Sequence, residues 1–400
     1  MLSSHDPSQK TTGILSEPRS ITVMGSTGSV GTSTVDLLMR SPDLFTVEAL
    51  TANQNVDLLA KQAIELNAKF AVVADPGRYR DLKNALSGSG IEAGAGSDAL
   101  LEAANRPSDM VMAAIVGFAG LASTLMAIKR GATILLANKE ALVCAGDMMV
   151  NEVQRYGAKL LPVDSEHNAI FQVFDYKNRA GIDHITLTAS GGPFRLFTKS
   201  QMADVTPEQA LAHPNWDMGS KISIDSATMV NKGLELIEAA YLFDLPEERI
   251  KVLIHPQSII HSSVSYVDGS VLAQLGSPDM RTPIACALAW PERIQTPVKP
   301  LNLVEIANLT FEAPDHEKFP ALDLARRALR QHKTVILNAA NEVAVDCFLR
   351  EKLSFSNIPK IIQMALNDFA ALRNGSLEEI VELDNEVRLW SQDLIKCKMI

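Results

Sequence analysis

ITVMGSTGSVGTSTVDLLMR, residues 21–40, decides the fold. A β-branched apolar run ends at Gly25, further glycines follow at Gly28 and Gly31, and an amphipathic helical pattern begins. Glycines at such a turn let the backbone approach a pyrophosphate, and a helix N-terminus then offers the anion free N–H groups. The spacing is G-x-x-G-x-x-G rather than G-x-G-x-x-G, so the triad alone is a weak signal. Its context carries the reading: a strand pattern before it, a helix pattern after it, and a second strand about twenty residues further on.

The alternation continues outward. FTVEAL, FAVVAD, MVMAAIVG and ATILLAN read as strands, and VDLLMR, VDLLAKQAIEL and LASTLMAIKR as helices. Strand–helix–strand repetition predicts a parallel sheet. Beyond Asp164, ITLTAS, VLIHPQ and SVSYVDGSVLAQLG predict a mixed or antiparallel sheet with a hairpin at DGS. Pro291, Pro297, Pro300, Pro314 and Pro320 mark an extended connector, and from Ala321 onward the period is helical. The expected fold class is α/β. An N-terminal Rossmann-like parallel-sheet domain (21–163) follows a flexible extension (1–20). A central α+β catalytic domain (164–293) carries a lid loop near 193–219, and a linker (294–320) leads to a C-terminal helical bundle (321–400).

Composition excludes several classes. The 400-residue chain carries a formal charge of −10, which disfavours nucleic acid and anionic membranes as partners. No apolar run reaches the length of a membrane span, and residues 1–20 lack an apolar signal core. Cys144, Cys286, Cys347 and Cys397 form neither a C-x-x-C pair nor a zinc spacing, so reduced thiols in a cytoplasmic protein are expected.

The candidate chemistry lies at strand ends and on one helix. PVDSEHNAIFQ puts Asp164, Ser165 and Glu166 where a strand gives way to a helix. Further on, Asn231, Lys232 and Glu235 stand at helical spacings of three and four, about 5–6 Å apart on one face. Acids without cysteine suit Mg²⁺ or Mn²⁺, and Asn231 and Lys232 suit an oxyanion. Acids in a first helical turn also serve the helix dipole, and Ser165 reads equally well as an N-cap. His167 reads as a packing or hydrogen-bonding group.

Asn138, Lys139 and Glu140 follow a later strand, on the edge that faces the crevice of a parallel sheet; a solvent-facing helix-start pair is the other reading. Ser190, Gly191 and Gly192 form a turn suited to phosphate, and Ser226 reads as an N-cap, a phosphate donor or both. Residues 193–219 read as a long polar loop around His213 and Trp216, a lid unless Trp216 only fills the core. His255 and His261 read as structural, and Arg281 as a structural ion pair. At the second strand's end Asn53, Gln54 and Asn55 offer no acid to a ribose, which favours NADP over NAD, and no base to a 2′-phosphate either.

With these segments assembled, the chain resembles the 1-deoxy-D-xylulose 5-phosphate reductoisomerases. GSTGSVG, AAIVGFAGL, LANKEALV, PVDSEHNAIFQ, TASGGPFR, HPNWDMG, KISIDSATMVNKGLE, HPQSIIHS, GSPDMRTPIA and LNAANE carry the resemblance, in order. It implies an NADPH-dependent homodimer that uses Mg²⁺ or Mn²⁺, with Co²⁺ also admitted. Asp164, Glu166 and Glu235 would hold the metal. Lys139, Ser165, Glu166, Ser190, His213, Ser226, Asn231, Lys232 and Glu235 would contact the ketose phosphate, with Lys139, Glu166, His213 and Trp216 in the catalytic group. Thr27, Gly28, Ser29, Val30, Asn138, Glu140 and Gly219 would contact NADPH, with Asn53, Gln54 and Asn55 at the ribose end. Many relatives carry a base where this chain has Gln54, which leaves the strength of the NADPH preference open. The segment between Gln172 and Ile185 is short for the family and is expected to alter only a surface loop. Two other classes compete: an NADP-dependent aldehyde dehydrogenase using Cys144 as nucleophile, and a metal-independent NADP sensor.

Overall fold

The computed structural model describes residues 17–212, 216 and 218–397. Up to residue 16, the expected N-terminal extension lies outside them, as does His213. The first layer is a seven-stranded sheet built from β1 (Arg19–Met24), β2 (Phe45–Ala52), β3 (Phe70–Val73), β4 (Glu92–Ala95), β5 (Met110–Ala113), β6 (Thr133–Leu136) and β7 (Lys159–Pro162). Its order is β4-β3-β2-β1-β5-β6-β7 and every pairing is parallel. The order reverses between β1 and β5, so the ligand crevice of such a sheet opens at the carboxyl ends of these two strands. Helices cover the sheet, and Ile21, Val23 and Met24 of β1 are buried; each contributes about 1.5–3 kcal/mol. β4 was not anticipated: EAGA is short and small, with little strand signal.

A second sheet comprises β8 (Ile182–Ala189), β9 (Ile250–Ile254), β10 (Ile260–Tyr266) and β11 (Val271–Leu275), in the order β11-β10-β8-β9. β10 runs antiparallel to β11 and β8, and β8 runs parallel to β9, so the sheet is mixed. The DGS hairpin joins β10 to β11. The proline-rich connector reaches back to this layer, where Glu312 and Ile254 exchange two backbone hydrogen bonds of 2.9 Å. The helices Ala321–Arg330, Thr334–Leu349, Ile358–Asp368 and Leu377–Lys396 form the C-terminal bundle. Thr334–Leu349 also packs against the helices Lys139–Tyr156 and Ser220–Thr228. Among the described residues no helix is long and apolar enough to cross a membrane.

Local chemistry revises three sequence expectations. Residues 193–212, expected as a polar loop, hold two short helices: Thr198 with Gln201, and Thr206 with Gln209, form capping boxes that start Lys199–Met202 and Pro207–Leu211. Asp164, not Ser165, is the N-cap of the helix Ser165–Val173, and it accepts from Glu166 N at 3.3 Å. Ser226 caps nothing. It sits inside the helix Ser220–Thr228, and the next helix, Val230–Phe243, starts from Met229 in the left-handed region at φ 63°.

Candidate active site

The glycine turn stands at the switch point. Gly25 has φ +87°, and a Cβ on it would lie 2.7 Å from Ala114 O, just beyond β5. A Cβ on Gly31 would lie 2.1 Å from Gly25 O, so the helix Ser29–Arg40 starts pressed against its own turn. Gly28 is that helix's N-cap residue and Thr27 precedes it; Ser29 and Val30 line a cavity of about 400 Å³. Asn53, Gln54 and Asn55 lie exposed beyond β2 and do not line this cavity. Asn55 caps the helix Val56–Glu65, and Gln54 Nε2 donates to Asp75 Oδ2 at 3.3 Å. Glu48 is buried within β2 against Lys69, at 2.6 Å.

β6 delivers the next group. Asn138 caps the helix Lys139–Tyr156 and donates from Nδ2 to Gly117 O at 3.0 Å. Glu140 is buried and accepts from Lys221 at 2.5 Å. Burial opposes its charge, but Lys221 outweighs burial and holds the carboxyl below its ordinary range. Lys221 also meets Asp225 at 2.8 Å, and Gly219 is the N-cap residue of their helix. Lys139 points the other way, into the cavity.

There it meets the acids. Oxygens of Asp164, Glu166 and Glu235 lie within 4.8 Å of one another. β7 positions Asp164 and Glu166 at its carboxyl end, and the helix Val230–Phe243 carries Glu235, which is buried. Lys139 Nζ lies 2.5 Å from Asp164 Oδ2 and 3.2 Å from Glu235 Oε1. Lys232 Nζ lies 2.8 Å from Glu166 Oε1 and also bonds Glu235 Oε2. Asn231 donates to Glu235 Oε1 and accepts from Lys139 at 2.9 Å.

The donor set fits a hard divalent cation, being all oxygen, half-buried at Glu166 and more deeply set at Asp164 and Glu235, and converging on one region. The charge balance fits as well. Three carboxylates face two ammonium groups, and burial with the nearby Glu166 pushes the Glu235 carboxyl up despite Lys139 and Lys232. Asp164 goes the other way: burial is outweighed by Lys139 and His167, which hold it well below the carboxylate range.

His167 lies behind this cluster, fully buried, with Nε2 against Glu235 O at 2.8 Å. Its Nδ1 sits 3.2 Å from Glu238 Oε2 and 3.4 Å from Asp164 Oδ1. A second grouping within 4.8 Å is therefore Asp164, His167 and Glu238. Burial disfavours charge on the imidazole, but Glu238 and Asp164 prevail and push it up to about 9.

The anion-binding groups share the cavity. Gly191 and Gly192 have φ of +84° and +69°, and Gly192 N donates to Ser190 Oγ at 3.2 Å. A Cβ on Gly192 would lie 2.8 Å from Ser226 O, so the turn after β8 is pressed onto the helix carrying Ser226. Ser165, Ser190, Ser226, Asn231 and Lys232 all line the cavity, as does half-buried Trp216. The Trp216 ring centroid is 6.2 Å from that of His261.

Met218, Met229, Ser258 and Met280 line the cavity without having stood out in the sequence, and His261, expected to be structural, lines it too. Their signal was the density of distinctive short blocks, HPNWDMG, KISIDSATMVNKGLE, HPQSIIHS and GSPDMR, in which these side chains carry no self-evident chemistry. Arg281 lines the cavity too, yet its guanidinium is held by Asp279 at 2.6 Å and Asp36 at 3.3 Å. Cys144 is buried, and burial raises its thiol well above the ordinary range, so it is no poised nucleophile.

A doubly wound sheet whose switch point adjoins a buried acid cluster defines a class, the dinucleotide-dependent oxidoreductases with a metal-assisted step. Comparison with known proteins makes the class specific. Sequence profiles described as 1-deoxy-D-xylulose 5-phosphate reductoisomerase match residues 21–146, and those for its C-terminal regions match 160–243 and 275–390. The reductoisomerase of Zymomonas mobilis is 54% identical over 384 residues, 96% of this chain and 99% of the relative. That of Rhodospirillum centenum is 55% identical over 379 residues, 94% of each chain. Among solved structures, the Zymomonas mobilis enzyme in complex with NADPH superposes with a TM-score of 0.90 at 53% identity, covering 95% of this chain and 99% of that one. A reductoisomerase in complex with NADPH, fosmidomycin and magnesium gives 0.92 at 44% identity, covering 94% and 98%. The chain belongs to the 1-deoxy-D-xylulose 5-phosphate reductoisomerase family.

Proposed function

We infer that Asp164, Glu166 and Glu235 hold a divalent ion, Mg²⁺ or Mn²⁺, in the reaction this chain catalyses. That reaction is the NADPH- and metal-dependent rearrangement and reduction of 1-deoxy-D-xylulose 5-phosphate to 2-C-methyl-D-erythritol 4-phosphate, in non-mevalonate isoprenoid precursor biosynthesis. The convergence of three carboxylates from two segments within 4.8 Å carries the site reading. When bound, the ion supplies Lewis acidity and NADPH supplies reducing equivalents.

The chain's own residues do the rest. Ser190, Ser226, Asn231 and Lys232 take the phosphate, with His213 added by its motif. Anchored there, the phosphate-bearing part of a rearranging carbon skeleton cannot leave the cavity, so the rearrangement stays unimolecular whether it runs by cleavage and recombination or by a concerted shift. Lys139, Ser165, Glu166 and Glu235 face the reacting oxygens, and Lys139 holds a proton beside them: burial opposes its charge, but Asp164 and Glu235 raise it well above the ordinary lysine range. Trp216 covers the cavity and excludes water. Thr27, Gly28, Ser29, Val30, Asn138, Glu140 and Gly219 receive NADPH, with Asn53, Gln54 and Asn55 at its ribose end.

The same reading divides the chain into a cofactor domain, a catalytic domain and a C-terminal bundle. It also makes the protein a cytoplasmic homodimer. Its four free cysteines suit a reducing compartment, and edge strand β11 exposes Val271, Leu272 and Leu275, an apolar edge that a second copy would cover. An NADPH-oxidation assay with 1-deoxy-D-xylulose 5-phosphate tests the reading. Turnover should require Mg²⁺ and stop with EDTA; turnover that survives chelation would refute the metal site.

A further inference from the structure

The helix Thr334–Leu349 belongs to the C-terminal bundle, yet Glu342 on it reaches the crevice of the N-terminal sheet. Its Oε1 accepts from the backbone N–H of Phe118 at 3.2 Å and from Asn338 Nδ2 at 3.0 Å. Its Oε2 accepts from Arg388 at 2.6 Å, and Arg388 is itself held by Asp384 at 2.6 and 3.0 Å. The carboxylate is thus fixed from behind by a charged chain rooted in the last helix.

What it grips is the turn after β5, at the switch point of the sheet. Gly117 there has φ +74°, and a Cβ on it would lie 2.8 Å from Glu342 Oε1, so turn and carboxylate fit closely. The Gly117 carbonyl accepts from Asn138, which makes Asn138 and Glu342 opposite anchors of one turn. Val116, between β5 and this turn, leaves 67% of its surface exposed, an apolar side chain outside the core at the mouth of a ligand crevice. A hydrogen bond to an ionised acceptor is stronger than a neutral one. A turn held before its ligand arrives spares that ligand the ordering cost.

We propose that Glu342, braced by Arg388, is a positioning residue for the nicotinamide nucleotide: the C-terminal bundle fixes the Gly117–Gly120 turn against which the cofactor lies. The proposal rests on the reductoisomerase reading, and its test separates the two. NADPH dissociation constants are measured by fluorescence titration on the full-length protein, alongside thermal midpoints and the KM for the ketose phosphate at saturating NADPH.

Glu342→Ala should raise the NADPH constant about tenfold while the ketose-phosphate KM stays within about twofold. Glu342→Gln, which keeps an acceptor for Phe118 N–H, should recover most of that loss and stay about threefold above wild type. NADPH constants within twofold of wild type in both variants would overturn the proposal. So would equal losses for NADPH and ketose phosphate that track a fall in thermal midpoint and are not rescued by glutamine. If the alanine variant does not fold, the glutamine variant decides: weaker NADPH binding at an unchanged midpoint supports the role, and wild-type binding refutes it. A wild-type protein that binds no NADPH would overturn the underlying reading as well.

Discussion

Lys139 Nζ lies 3.2 Å from Glu235 Oε1, so the first residue of the helix that follows β6 is tied to one in the middle of the helix Val230–Phe243. The pair joins the cofactor sheet to the acid cluster, and Lys139 also holds Asp164. Lys139→Met would leave buried Asp164 and Glu235 with one cation fewer, at a cost of up to about 3–5 kcal/mol in metal-free protein. A divalent ion brought to the same oxygens should offset much of that. The expected result is a larger Mg²⁺-induced rise in thermal midpoint for the variant than for wild type, with turnover falling at least about a hundredfold. Equal metal-induced shifts in the two proteins would separate Lys139 from the metal site.

Glu235→Gln keeps the shape of the side chain and removes one negative oxygen donor. The glutamine keeps one acceptor oxygen, for Lys232 or for Asn231 and Lys139 but not for both sides, so folding should survive at some loss of thermal midpoint. Turnover should fall by about two orders of magnitude or more, and the Mg²⁺ concentration for half-activation should rise. Activity near wild type in saturating Mn²⁺ would exclude Glu235 as a ligand.

Much of this arrangement was legible in the sequence because its signals are local. A glycine turn between strand and helix announces the crevice by backbone geometry alone, and Asn231, Lys232 and Glu235 share a face by helical period. The approach of Asp164 to Glu235 was not local: 71 residues separate them, and only the packing of the helix Val230–Phe243 against the helices Lys139–Tyr156 and Ser165–Val173 brings them together. The short helices within 193–212 were hidden for a different reason. They run four and five residues, too short for a hydrophobic period, and only the Thr-x-x-Gln capping boxes betray them. Ser226 was misplaced because Met229 breaks the helix in the left-handed region, a conformation that methionine does not advertise. The role of LNAANE was invisible, since its Glu342 works on a turn 224 residues away.

Trp216 lines the cavity half-buried, with its ring near His261 rather than inside a core cluster. Trp216→Ala should therefore cost catalysis more than stability. We expect kcat/KM for the ketose phosphate to drop at least about tenfold, from lost exclusion of water over the substrate, while the thermal midpoint shifts little. A large fall in midpoint with kcat/KM preserved would make Trp216 a packing residue.

Gly192→Ala tests whether the turn after β8 and the helix Ser220–Thr228 act as one anion site. At φ +69° an alanine is strained by about 1–3 kcal/mol. Its methyl would also press on Ser226 O, 2.8 Å from the Cβ position. The turn must then lift from the helix, which moves Ser190 away from Ser226 without touching Asp164, Glu166 or Glu235. Steady-state kinetics should show a KM for the ketose phosphate raised about tenfold or more. The KM for NADPH and the Mg²⁺ activation curve should stay near wild type, because the glycine turn and the acids are undisturbed. Loss confined to NADPH, or spread evenly over all three ligands, would remove the Ser190–Ser226 pairing from the phosphate site.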